Sequence, residues 1–92
     1  MAGYNAICVY VEDGDTFRTI EKTWIWIRLA RYDAPKEGKP GSYEAKRLLT
    51  HLISGKEIVY EQVSTSDGRV VAEVWQAGKS VNNIMINSGY KK

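Results

Sequence analysis

Short segments of β-strand character, separated by turn-forming residues, limit the fold of this chain more than any other feature of its sequence. Each is rich in β-branched and aromatic residues, and the first is followed by Glu12-Asp13-Gly14, a strong turn signal. Together they predict five strands, at residues 4–11, 16–20, 24–29, 56–63 and 69–76. A chain with this pattern must fold around a β-sheet.

The third predicted strand alternates between two kinds of side chain. Every second position is aliphatic, which predicts a core-facing row of Ile25, Ile27 and Leu29. Arg28 and Trp26 fall on the opposite face. We therefore expect Arg28 to lie beside a tryptophan and outside the aliphatic core.

Two helical patterns complete the reading of the chain. A loop rich in glycine and proline covers residues 33–41, after which Ser42 is the predicted N-cap of a helix that stops at Gly55. Ser80 is the predicted cap of a short last helix that ends before Gly89. Five strands with a helix between the third and fourth predict a mainly β, α+β domain, the five-stranded Greek-key barrel of the OB-fold with a short C-terminal helix.

The size of the chain indicates a single domain over residues 1–92. Its one cysteine, Cys8, cannot form an internal disulfide, so the core must hold the fold, as is usual in a reducing compartment. The sequence has no long apolar run that would serve as a signal or a membrane span. We expect a cytoplasmic monomer that does not bind membranes. The net charge of +2 does not by itself indicate a nucleic-acid-binding protein.

Two acids and two arginines lie near the predicted strand ends. Carboxylates such as Asp15 and Asp33 are hard oxygen ligands that suit Ca²⁺ or Mg²⁺. Arginines such as Arg28 and Arg69 present planar forks that pair with phosphate oxygens. Any one of these residues is more simply explained as a turn or surface residue, but the four together describe a site for a phosphodiester.

The order and spacing of several motifs across residues 7–90 resemble the staphylococcal nuclease (thermonuclease) family of calcium-dependent OB-fold nucleases. The resemblance rests on Val11-Glu12-Asp13-Gly14-Asp15-Thr16-Phe17, Ile27-Arg28-Leu29, Asp33-Ala34-Pro35, Glu44-Ala45, Gly68-Arg69-Val70-Val71-Ala72, Gly78-Lys79-Ser80-Val81-Asn82 and Gly89.

The resemblance implies a role for each matching residue. Asp15 and Asp33 would bind Ca²⁺ through their side chains and Ala34 through its backbone carbonyl, while Asp13 would act less directly. Arg28 and Arg69 would contact the scissile phosphate and stabilise the negative charge that develops on it.

The sequence departs from the family pattern where catalysis needs a base. Active members have a glutamate after the proline, and this chain has Lys36 there. A protonated lysine cannot accept a proton from water. Glu37 is either a substitute base or an ordinary exposed acid, and we favour the exposed acid. The loop before Gly68 also lacks the family's base-stacking tyrosine.

Two functions are therefore expected. The first is calcium-dependent, endonuclease-like hydrolysis of DNA or RNA, with single strands as the expected substrate, slowed by the lysine. The alternative is an inactive OB-fold module that binds nucleic acid through Arg28, Arg69 and Lys36. Trp26 is a further candidate contact for bases, although packing at the barrel edge is the commoner role of such a residue.

Overall fold

A computed structural model describes residues 3–20 and 23–92 of the chain. Its elements in chain order are β1 (Tyr4–Val11), β2 (Thr16–Ile20), β3 (Trp24–Leu29), α1 (Ser42–Ile53), β4 (Glu57–Ser66), β5 (Arg69–Gln76), β6 (Lys79–Ser80) and α2 (Val81–Asn87). All five predicted strands are present, although β4 continues three residues beyond its predicted end. The two-residue strand β6 was not predicted, because so short a segment carries no periodic pattern.

The strands form one sheet in the order β3-β2-β1-β4-β5-β6, and a further pairing joins β3 to β5. That pairing is parallel, with Arg28 opposite Val71, whereas the other pairings are antiparallel. It closes the first five strands into a mixed barrel. The predicted OB-fold, with α1 between the third and fourth strands, is confirmed.

The barrel interior and the two helices share one hydrophobic core. Its largest fully buried apolar side chains come from the strands and from both helices: Phe17, Ile27, Leu29, Leu49, Ile53, Ile58, Val74, Val81 and Met85. Cys8 is also buried, and burial raises the pKa of its thiol, in keeping with a small apolar packing residue. No helix among the described residues has the length and apolar composition needed to span a membrane.

The predicted alternation in β3 is confirmed. Ile27 and Leu29 are fully buried, whereas Trp26 and Arg28 are partly exposed on the outside of the barrel.

The predicted cap of α1 was wrong by one residue. Gly41 is the N-cap, with φ of 87° and no side-chain capping hydrogen bond, and Ser42 is the first helical residue. Left-handed backbone favours glycine, so the path of the incoming loop, and not side-chain capping chemistry, decides this position. The cap of α2 is as predicted, since the Ser80 hydroxyl accepts a hydrogen bond from the Asn83 backbone N–H at 3.2 Å.

Asn82, at the start of α2, joins the two strands that close the barrel. Its side chain is fully buried. Its Oδ1 accepts a hydrogen bond from the backbone N–H of Val74 at 2.8 Å, and its Nδ2 donates to the carbonyls of Ala30 and Ala72 at 2.9 and 3.0 Å. One buried side chain thus satisfies backbone groups of β5 and of the residue that follows β3.

Arg31 reinforces the same closure from outside. Its guanidinium donates two hydrogen bonds of 2.7 Å to the Glu73 carboxylate on β5 and one of 3.0 Å to Asn83 on α2. A bidentate pair of this kind fixes orientation as well as distance.

The Asn82 contacts generate a test of barrel closure. We expect Asn82→Asp to lower the free energy of unfolding by about 3 kcal/mol or more at neutral pH, because it places a buried carboxylate oxygen against two carbonyls. Asn83→Asp is the matched control, since the same change one residue later is exposed and faces Arg31; it should cost less than about 0.5 kcal/mol. Urea unfolding of both variants measures the difference, and equal losses would contradict the role given to Asn82.

Candidate active site

The turn between β1 and β2 carries two of the acids and packs tightly against the rest of the domain. Gly14 makes this possible, because a Cβ at that position would lie 2.6 Å from Cβ of Ala45 on α1 and 2.8 Å from Cβ of Ala34. Real side chains do not approach so closely. The glycine therefore lets the turn pack between α1 and the loop that follows β3, which brings Asp15 beside that loop.

Asp15 is buried, with 2% of its surface exposed. Its Oδ1 accepts a hydrogen bond from the Thr16 hydroxyl, and its Oδ2 accepts one from the backbone N–H of Ala34, both at 2.9 Å. These bonds fix the carboxylate between β2 and the loop after β3. The Ala34 N–H, rather than a side chain, is what holds the loop to it.

Arg28 connects the two acids that the sequence placed in the site. Its Nη2 donates a hydrogen bond to Asp33 Oδ1 and lies 3.6 Å from Asp15 Oδ2. Asp33 is exposed and Arg28 is partly exposed, so this side of the cluster faces solvent. The structure thus brings together three of the predicted residues, Asp15, Arg28 and Asp33, around one guanidinium nitrogen.

The last residues of the chain support the loop that carries Asp33. The Tyr32 hydroxyl donates a hydrogen bond to the Tyr90 carbonyl, and the Lys92 N–H donates to the Asp33 carbonyl at 3.1 Å. Burial and the negative charge of Asp15 raise the pKa of Tyr32 to about 12, so this hydroxyl remains a donor at neutral pH. These contacts fix the backbone at Asp33.

Arg69 reaches the same outer face through the parallel pairing of β3 and β5. Val71 is the register partner of Arg28, and Arg69 is two residues before Val71, so all three side chains project from one face. Strand geometry places the Cα atoms of Arg28 and Arg69 about 8 Å apart. Within the described residues no carboxylate forms an ion pair with Arg69, which leaves its fork available to an anion.

Two carboxyl groups of the turn interact strongly. Burial, together with the hydrogen bonding and charge of Asp15, raises the pKa of Asp13 to about 6. Burial also disfavours ionisation of Asp15, but hydrogen bonds from Asp13, Ala34 and Thr16 and the charge of Arg28 outweigh it and hold the pKa of Asp15 below its usual range. Asp15 is therefore the ionised member of the pair.

Asp15 and Asp33 are the residues of this site that could hold a hard cation. Two carboxylates, of Asp15 and Asp33, approach the same point, and oxygen ligands of this kind are those that calcium takes. No group of three or more His, Cys, Asp or Glu side chains with metal-binding geometry occurs in residues 3–20 and 23–92. A cation here would need backbone oxygen and water as further ligands.

A groove of about 680 Å³ runs beside the acid turn. The predicted base position, Lys36, and its neighbour Glu37 line it together with Asp13 and Tyr10. Both side chains of the loop are exposed, as we expected for Glu37. The structure therefore places Lys36 and Asp13 along one groove.

Trp26 lies on the outer face but does not stand alone there. Its ring meets the Tyr10 ring edge-on at 6.3 Å, and the Arg18 guanidinium lies 5.4 Å from its centroid. Sequence reasoning missed Tyr10 and Arg18. Alternation along β2 places Arg18 outside the barrel, but its meeting with Trp26 depends on the β2–β3 register, in which the two are partners.

Comparison with protein families found a match over most of the chain. Residues 26–92, more than half of the chain, match the family described as staphylococcal nuclease homologue. The matching region includes Arg28, Asp33 and Arg69 and begins after Asp15. A search among curated proteins found no match.

The raised pKa of Asp13 predicts how stability depends on pH when a chelator is present. The folded protein holds a proton on Asp13 up to about pH 6, whereas the unfolded chain releases it near 3.8. The contribution of Asp13 to stability must then fall as pH rises between about 4 and 6. Asp13→Asn removes this fall while keeping the oxygen that accepts the Asp15 N–H.

We expect Asp13→Asn to stabilise the protein by about 1 kcal/mol at pH 7 and to have little effect at pH 4. The full displacement of the pKa would correspond to about 3 kcal/mol, and solvent screening at this half-buried position reduces it. Thermal unfolding at both pH values measures the effect. Asp67→Asn, in the exposed β4–β5 turn, is the control and should show no such pH dependence. If Asp13→Asn stabilised the protein equally at pH 4 and pH 7, the raised pKa of Asp13 would be contradicted.

Proposed function

The chain belongs to the staphylococcal nuclease family, and we propose that its acid–arginine cluster binds the phosphodiester backbone of single-stranded DNA or RNA and hydrolyses it slowly in the presence of calcium. Membership of the family supports a nuclease or nucleic-acid-binding function. The substrate, the metal and the reaction are our proposal.

The observation that carries the proposal is the convergence of Asp15 and Asp33 on Arg28. In the absence of ligand the guanidinium contacts both acids, and its single positive charge offsets part of their negative charge. When a phosphate arrives, Arg28 can exchange the exposed Asp33 for a phosphate oxygen, because that pair faces solvent and is weakly held. Calcium, when bound between the two carboxylates, would neutralise them and polarise a phosphoryl oxygen.

Arg28 and Arg69 would both donate hydrogen bonds to the phosphate. Both project from one face of adjacent strands, about 8 Å apart at Cα, and long arginine side chains readily converge over that span. Their planar forks fit the equatorial oxygens of a phosphorus centre that is gaining negative charge. Donors fixed in this way stabilise the transition state more than the ground state.

Lys36 explains why the reaction would be slow. It is exposed at the position after Pro35 and cannot take a proton from the attacking water while it is charged. General-base catalysis contributes about 10²- to 10⁴-fold, or about 3 to 5 kcal/mol of barrier. The same charge favours phosphate binding, which supports the second candidate function, a module that binds nucleic acid without cutting it.

A cleavage assay decides between the two functions. We expect the purified protein to cut single-stranded DNA or RNA in Ca²⁺ and to lose this activity in chelator. Arg69→Ala should lower the rate by about 10²- to 10³-fold, because one preorganised donor is removed. Lys79→Ala, an exposed cation on β6, is the control and should cut at the normal rate. Binding that weakens with salt, with no cleavage at high protein concentration, would instead establish the binding module.

The position after Pro35 gives a gain-of-function test. We expect Lys36→Glu to raise the rate of calcium-dependent cleavage by about tenfold or more, because the new carboxylate can accept a proton from water in the groove that it shares with Asp13. Lys36→Gln removes the charge without supplying a base and serves as the control. Equal rates for these two variants would show that a missing base does not limit the reaction.

A further inference from the structure

The outer face of β1, β2 and β3 carries three aromatic rings around one arginine. The Arg18 guanidinium carbon lies 4.5 Å from the ring centroid of Trp24, 5.4 Å from that of Trp26 and 5.8 Å from that of Tyr10. We call Arg18, Tyr10, Trp24 and Trp26 the aromatic–arginine patch. No residue of the patch belongs to the barrel core.

The rings of this patch do not serve the packing of the domain. Trp24 is 57% exposed and Tyr10 is 47% exposed, whereas Phe17, the aromatic residue of β2, is fully buried. Exposed aliphatic residues continue the surface, namely Ile7, Val9 and Ile20. Extended apolar surface of this kind on a small domain generally marks a binding site.

A β-bulge directs Tyr10 into the patch. Cys8 pairs with Thr19 and Tyr10 pairs with Arg18, so Val9 is an extra residue in β1. Without the bulge, alternation from the buried Cys8 would turn Tyr10 toward the interior. β1 therefore departs from regular pairing at the point where the Tyr10 ring is brought beside Arg18.

Rings hold the Arg18 guanidinium, and the described part of the chain gives it no acid partner. Its Nε is shielded from solvent and has no hydrogen-bond partner within residues 3–20 and 23–92, and no carboxylate of those residues forms an ion pair with it. A guanidinium stacked on rings in this way keeps its positive charge available to an anion. The patch thus offers open aromatic surface and a cation side by side.

The patch is continuous with the proposed phosphate site. In the β2–β3 register Arg18 is opposite Trp26, and Arg28 is the next outward residue of β3 after Trp26. Diagonal neighbours of this kind lie about 7 to 8 Å apart. Arg69 lies on β5, the other neighbour of β3. Three arginines and the rings therefore share one surface around Trp26.

We propose that the aromatic–arginine patch binds single-stranded nucleic acid next to the cleavage site, with a base stacked on Trp24 and a phosphate on Arg18. This inference rests on the proposed function. Unpaired bases can stack on exposed rings, whereas bases within a duplex cannot. The arginine in the centre of the rings favours a polyanion over an apolar protein surface as the occupant.

Fluorescence anisotropy with two labelled probes tests the proposal in chelator, so that cleavage does not interfere. The probes are a dodecamer of thymidylate and an abasic dodecamer with the same number of phosphates. We expect Trp24→Ala to weaken binding of the thymidylate probe by about tenfold and to weaken binding of the abasic probe much less, because stacking needs a base and two rings remain beside Arg18. Arg18→Gln should weaken both and should lower the slope of log affinity against log salt by about 0.7.

Two control variants match these changes elsewhere on the surface. Tyr4→Leu alters a ring that is 55% exposed at the start of β1, and Lys79→Gln removes an exposed cation on β6. Both should bind like the unmodified protein. Circular dichroism and thermal unfolding establish that each variant is folded.

The outcomes separate this inference from the proposed function. Loss of binding in Arg69→Ala, with Trp24→Ala and Arg18→Gln unaffected, overturns the patch and leaves the phosphate site standing. An unmodified protein that binds neither probe, nor their ribonucleotide equivalents, overturns both. The stacking role is also overturned if Trp24→Ala weakens binding of both probes equally. It is likewise overturned if this variant binds both probes normally but no longer self-associates in sedimentation.

Discussion

The rest of the structure depends on the closure of the barrel at β3 and β5, and Asn82 is the side chain that holds this closure from inside. Its three buried hydrogen bonds satisfy backbone groups of β5 and of Ala30, the residue that follows β3. Parallel pairing between strands far apart in sequence is slow to form and costly in chain entropy. Asn82, in the first turn of α2, therefore stabilises a pairing that no local turn could impose.

That closure also creates the chemistry of the outer face. Arg28 and Arg69 are separated by forty residues of chain, including the whole of α1 and β4, and they become neighbours because β3 pairs with β5. A second close contact depends on Gly14, which lets the turn that carries Asp13 and Asp15 pack against the loop after β3. A strand pairing and a close backbone contact thus place acids and arginines together on a domain too small to enclose a deep cavity.

Much of this organisation was predicted from the sequence. The strands and both helices followed from periodicity, because a residue in a strand or helix repeats its environment every two or every three to four positions. The grouping of Asp15, Arg28 and Asp33 followed from their places at strand ends. The cap of α1 was wrong because the local sequence contains a good capping serine, whereas the left-handed turn at Gly41 depends on where the loop has to go.

The sequence alone determined the fold class, the inward and outward faces of β3, and the residue types available for a phosphate site, since these depend on local pattern and on chemistry carried by each side chain. The tertiary structure decided which of them meet. The shared contact of two acids with one nitrogen of Arg28, the raised pKa of Asp13 and the stacking of Arg18 on three rings depend on register, on the bulge at Val9 and on burial. Those properties arise from contacts between strands, and a one-residue change in register would remove them without altering any local pattern.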